Sequence, residues 1–378
     1  MQEDYMRNGF RVIDGDGHMQ EPMDIWDKYT ESAYSDRVPK VVGHVGKTLF
    51  KYAPCEAFPE GSMQPRPESV FADCEDRYGD AFRSWWSLPT RLAHMDDEGV
   101  DIQVGFQTNG NAAISQNITD PDLQSALCRA YNDWATDFCR DSGRRVQAIG
   151  LISLLDVGQG IEEIRRIANR REIAAINIPD SAAEQRQWSS EEFDGLWSTL
   201  ADQGLPACFH GGSAQTRLFR SLQGPLASVS HAIGFPLDAM VSMGIMMFGS
   251  AMERHPNLRF GFYESNAGWL PFWLSRMDDH AVGRQGRFMY GSSLPLKPSE
   301  YFRRQCSLAC DTDEGTLPFV AEFMDGDNLV FNTDYPHPDA PFPGSVEGIL
   351  SRPLKDEHKR KILWDNSVNL YGERLIAA

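Results

Sequence analysis

The stretch Arg11-Val-Ile-Asp-Gly-Asp-Gly-His-Met-Gln-Glu-Pro22 carries on from an apolar run, Phe10 to Ile13, into Asp14, Asp16, His18 and Glu21. A short apolar run of this kind reads as a buried strand, and the polar residues then crowd its C-terminal end. Seven further runs repeat the pattern: Ile102–Phe106, Val146–Ile152, Ile173–Ile178, Leu205–Phe209, Leu258–Tyr263, Arg304–Ala309 and Leu329–Asn332. Helical patterns lie between them at Thr90–Glu98, Asp120–Arg140, Gln159–Arg171, Ser190–Gln203, Ser228–Arg254, Trp269–Val282 and Asp356–Tyr371. Thr119-Asp-Pro-Asp and Ser189-Ser-Glu-Glu stand as caps ahead of their helices, and Gly99, Gly204 and Gly372 follow helix ends. Eight strands alternating with helices predict a (β/α)8 TIM barrel, one domain over residues 1–378, in the α/β class.

One segment breaks the alternation. Residues 19–88 are rich in Pro, Gly and aromatics, among them Pro54, Pro59, Pro65, Pro67, Trp85 and Trp86. A connection that long is usually functional. Its aromatic content predicts a lid-like insertion after the first strand, closing over the barrel mouth.

Composition excludes several function classes. A net charge of −18 repels phosphate backbones and anionic lipid, so neither nucleic acid nor a membrane surface is an expected partner. Seven cysteines, none in a CxxC pair, read as reduced buried thiols of a cytoplasmic protein. The first ten residues lack the apolar core of a signal peptide, and Ala239 to Met252 is too short for a span. Met240, Met243 and Met247 have helical spacing and read as core or subunit packing, which permits a homo-oligomer.

Reactive groups of a barrel enzyme sit at the C-terminal ends of its strands. Strand one delivers Asp16 and His18, with Glu21 shortly after, while Asp14 reads as a structural acid holding the loop. Strand five ends in Cys-Phe-His210-Gly-Gly, strand six in Phe-Tyr-Glu264-Ser, and strand eight in Asn-Thr-Asp334-Tyr-Pro-His337-Pro-Asp. Four strands thus bring His or carboxylate to one rim, which is the strongest functional signal in the chain. No G-x-S-x-G occurs, Gly43-His-Val-Gly-Lys-Thr lacks the first glycine of a P-loop, and no G-x-G-x-x-G follows a strand.

These pieces, with HPNLRFGFYESNAGWLPFWLSRMD (255–278) and KRKILWDNSVNLYG (359–372), resemble the metal-dependent amidohydrolase-related barrels over nearly the whole length. The resemblance implies metal ligands at Asp16, His18, His210, Glu264 and Asp334. Acids stand at Asp16 and Glu264, where histidines are common in that family. Strand four, Ile-Asn-Ile-Pro-Asp180, lacks the lysine that bridges two metals in binuclear members. With Glu21 added, the set holds four carboxylates and two histidines. Such a set suits iron or manganese better than zinc, and four negative charges balance two Fe(II) ions. The carboxylate-rich variant is similar to the non-haem di-iron monooxygenase known from platensimycin and platencin biosynthesis.

The expectation is therefore a di-iron monooxygenase with two Fe per chain, hydroxylating an unactivated C–H of an apolar, CoA-linked substrate with O2 and an electron donor. The alternative is a mononuclear Zn- or Mn-dependent hydrolase or non-oxidative decarboxylase, with Glu264 or His337 as the catalytic acid/base. A barrel that has lost its chemistry and only binds or scaffolds is a third reading. Intact candidate ligands on four strands argue against it.

Overall fold

In a computed structural model of the chain, the described residues are 7–45, 49–60, 74–179, 187–211, 226–282 and 293–377. Parts of the 19–88 insertion, including Pro65 and Pro67, and Gly212 of the strand-five motif lie outside them. The chain packs as two compact units, Met1–Ile176 with Thr333–Val346, and Asn177–Asn332 with Glu347–Ala378.

The first unit is built on β1 (Ile13–His18), β4 (Ile102–Phe106), β5 (Val146–Gly150) and the start of β6 (Ile173–Pro179), all parallel. Its strands are buried on both faces, so Val104, Phe106, Ile149, Ile173 and Ile176 form a continuous apolar layer. The second unit has β7 (Ala207–His210), β8 (Phe260–Tyr263), β9 (Cys306–Cys310) and β10 (Leu329–Phe331), again parallel. Eight parallel strands in chain order, with helices in the connections, make this the (β/α)8 barrel that the alternation predicts.

The local chemistry of each element is visible. Asp120 caps Pro121–Arg140, its carboxylate accepting from the Asp122 and Leu123 backbone N–H groups. Gly99 ends Leu88–Glu98 at φ +82°, a left-handed backbone that a side chain would strain. Other expectations needed correction. The Ser189-Ser-Glu-Glu stretch caps no α-helix directly, because Glu191–Phe193 is a 3-10 turn that leads into the helix Asp194–Gln203. Two short helices, Pro298–Gln305 and Leu317–Met324, form where the sequence reading placed none.

The helix expected over Ser228–Arg254 forms in two pieces, and the apolar segment around Ala239 starts in the first of them. That piece is a 22-residue helix, Ala227–Phe248, whose length and composition match those of a membrane span, with 39% of that window buried. Met243 and Met247 are fully buried within its unit. The seven cysteines are all free thiols.

In the described part of the insertion, β2 (Val41–Val45) and β3 (Leu49–Tyr52) form an antiparallel hairpin. Cys74, Tyr78, Ala81 and Trp86 pack with Tyr335, Ala340 and Phe342 of the segment after β10. The insertion and the Asp334 segment therefore share one apolar cluster.

Candidate metal centre

Asp, Gly and His are poor strand formers, so sequence reading ends β1 at Ile13. The strand runs on to His18 because parallel pairing with β4, Gly17 opposite Gly105 and His18 opposite Phe106, overrides propensity. The two-residue period sets Asp16 and His18 on one face. A bulge between Asp14 and Gly17 separates Asp14 from that alternation.

His18 is the centre of the first unit's polar cluster. Its Nδ1 faces the Gln107 carbonyl oxygen at 3.2 Å. Its Nε2 lies 3.2 Å from Asp334 Oδ1 and 3.8 Å from Asp16 Oδ1. The His337 ring stacks on His18 with centroids 3.8 Å apart, and His337 Nδ1 sits 3.0 Å from the same Asp334 oxygen. Ligating atoms of His18, Asp334 and His337 all lie within 4.8 Å of one another. The insertion reaches this cluster through Tyr78, whose hydroxyl donates to the His337 carbonyl at 2.7 Å. Asp334 adopts φ +54°, an uncommon backbone of the kind that collects at functional sites.

The electrostatics call for a cation. Burial pushes the Asp16 carboxyl up to about 7, and the negative charge of Asp334 adds to that, against the pull of His18 and His337. Burial also works to raise Asp334, but His337 and His18 outweigh it and hold that carboxyl below the usual range. A buried carboxylate, Asp16, and a half-buried one, Asp334, converging on one imidazole nitrogen whose other nitrogen faces a carbonyl, fit a divalent metal ion.

Asp14 and Glu21 are engaged differently. Asp14 accepts from Gln103 Nε2 (2.7 Å), Thr333 Oγ1 (2.6 Å) and Thr333 N (3.0 Å), the structural role expected of it. Burial raises it to about 6, and the Thr333 and Gln103 hydrogen bonds pull it back down. Glu21, expected as a ligand, accepts from the backbone N–H groups of Thr108 (3.1 Å) and Asn109 (2.7 Å), one on each carboxylate oxygen. It anchors the loop after β4.

In the second unit, His210 Nε2 and Glu264 Oε2 are 3.5 Å apart at the tips of the neighbouring strands β7 and β8. Glu264, the first residue past β8, has φ +52°. Sequence reading missed Gln103 and Thr333, which bond Asp14, and Arg91, which bonds Gln103 and the His18 carbonyl. The available signal was a glutamine in the otherwise apolar run Ile-Gln-Val-Gly-Phe, in register with Asp14.

A (β/α)8 barrel with a His/Asp cluster at strand C-termini defines a class of metal-binding barrels. The chain belongs to the amidohydrolase family, whose profile matches residues 63–372. It is 22% identical over 292 residues to a 2-amino-3-carboxymuconate-6-semialdehyde decarboxylase of Dictyostelium discoideum, covering 76% of this chain and 77% of that one. Among solved structures, an amidohydrolase from Mycobacterium avium subsp. paratuberculosis K-10 superposes with a TM-score of 0.74 at 19% identity, over 96% of this chain and 99% of that one. A 5-carboxyvanillate decarboxylase from Novosphingobium aromaticivorans, with manganese bound, gives a TM-score of 0.69 at 18% identity, over 97% and 98%.

These relatives overturn the expectation of a di-iron monooxygenase. Two of the three are decarboxylases, and the metal in one is manganese. Nothing in them supports two irons, O2, an electron donor or a CoA-linked substrate. The physical reason is in the carboxylate count: Glu21 faces the backbone N–H groups of Thr108 and Asn109, and so is not gathered with Asp16 and Asp334 to balance a second iron.

Proposed function

We propose that this chain is a mononuclear Mn- or Zn-dependent, non-oxidative decarboxylase of a small carboxylated molecule. The observation that carries the reading is the convergence of Asp16 and Asp334 on His18 Nε2, in a family with decarboxylases among its similar members. Asp16, His18 and Asp334 would hold the metal, and His210, at the tip of β7, is the further ligand that the sequence resemblance implies. A bound divalent ion supplies Lewis-acid chemistry, polarising oxygen atoms of the substrate.

The protein's own groups do the rest. The Gln107 carbonyl fixes the His18 ring with its Nδ1–H donated, leaving Nε2 as the lone-pair side. Decarboxylation breaks the C–CO2 bond and needs one proton at the carbon left behind. Glu264 and His337 are the groups proposed to deliver it, and pH–rate profiles of Glu264→Gln and His337→Gln assign the role.

The test is metal per chain by mass spectrometry together with CO2 release from a panel of hydroxylated aromatic and unsaturated carboxylates. About one Mn or Zn per chain, CO2 release, and loss of both in His18→Ala are the expected outcomes. Stoichiometric metal with hydrolysis of amides or esters and no CO2 would replace decarboxylation with hydrolysis.

A further inference from the structure

Beneath the His18–Asp334 cluster a chain of buried polar groups runs from one element to the next. Arg91, on the helix Leu88–Glu98, is fully buried. It donates through Nη2 to the His18 carbonyl at 2.7 Å and through Nη1 to Gln103 Oε1 at 2.5 Å. Its guanidinium also lies 5.2 Å from the ring centroid of Tyr335, the residue after Asp334. Gln103, on β4, donates its Nε2 to Asp14, and Asp14 accepts both the hydroxyl and the backbone N–H of Thr333. A Cβ at position 17 would fall 2.7 Å from Gln103 Nε2, so Gly17 is the gap through which that side chain crosses to Asp14.

We propose that Arg91, Gln103 and Thr333 are positioning residues: acting through Asp14 and the His18 backbone, they clamp β1 to the segment after β10 so that Asp16, His18 and Asp334 stay converged. The inference rests on the metal-centre reading above. A buried arginine is dearer to stability than an apolar residue of similar volume, so directional bonds are the reason to keep one. Here the Arg91–Gln103 bond joins the two halves of this polar chain, and every other bond ends within one residue of a ligand-bearing position or on Asp14, two residues before Asp16. None of the three side chains touches the metal-binding atoms; they act on the backbone that presents them.

The experiment is titration of the chelator-stripped, full-length chain with Mn2+ by calorimetry, alongside thermal unfolding of the same metal-free protein. Thr333→Val keeps the shape and removes the hydroxyl donated to Asp14; Thr333→Ser restores it. Thr333→Val is expected to weaken Mn2+ binding by about 10- to 100-fold, and Thr333→Ser to return it to within about threefold of the parent. Gln103→Met should weaken binding in the same direction, and combining it with Thr333→Val should add little, since both act through Asp14. Variants that lose thermal stability yet bind Mn2+ like the parent would reduce the clamp to ordinary core packing. If the parent itself binds no Mn2+ or Zn2+, the metal-centre reading fails first and the clamp falls with it, an outcome distinct from parent-like binding in the variants.

Discussion

Glu21 carries no exposed surface, yet both its oxygens are met by backbone N–H groups. Burial drives its carboxyl up to about 7, against those hydrogen bonds, which pull it down. Since the ordinary value is 4.5, the folded chain holds more protons at this site than the unfolded chain between pH 4.5 and 7. Stability from Glu21 is therefore full below that window and is lost as pH rises through it. Glu21→Gln has no such loss. In urea unfolding of metal-free protein, the advantage of wild type over Glu21→Gln should shrink between pH 5 and pH 8 by on the order of 3 kcal/mol. A difference flat with pH would mean that the carboxylate stays ionised throughout. A loop anchor and a metal ligand look alike in sequence, because each is an acid just past a strand; only the backbone it faces tells them apart.

At the scale of elements, the long periodic helices were legible and the caps partly so. Asp120 accepts from the Asp122 and Leu123 N–H groups and also pairs with Arg37 at 2.7 Å. Asp120→Ala should lower unfolding free energy by about 1 kcal/mol, with no change in metal content. A null effect would assign the start of that helix to tertiary packing alone. The eight strands could be found by their apolar runs, and seven of the eight predicted starts fall within two residues of the observed ones. The end of β1 could not, since Asp-Gly-Asp-Gly-His carries no strand signal and is held by pairing to β4. Arg91 and Gln103 escaped for a related reason: an arginine in an amphipathic helix reads as solvated unless its partners are known.

At the scale of the whole molecule, counting acids overstated the chemistry. Four carboxylates near strand ends suggested two irons, and the structure leaves Asp16 and Asp334 beside His18 once Glu21 is bound to its loop. The same charge makes a sharp test possible. A chain of net charge −18 will gather divalent ions loosely over its surface, whatever its active site does. Specific binding differs in that it acts only on the folded cluster, so Mn2+ should stabilise the fold by mass action, about 2.7 kcal/mol at a hundred times its Kd. The melting temperature should then climb with the logarithm of Mn2+ concentration and fall back when EDTA is added. Asp334→Asn changes the net charge by a single unit out of 18, leaving loose surface binding essentially intact while removing a carboxylate from His18. Loss of the Mn2+-dependent rise in that variant places the ion at His18 and Asp334, whereas an undiminished rise would place it on the acidic surface.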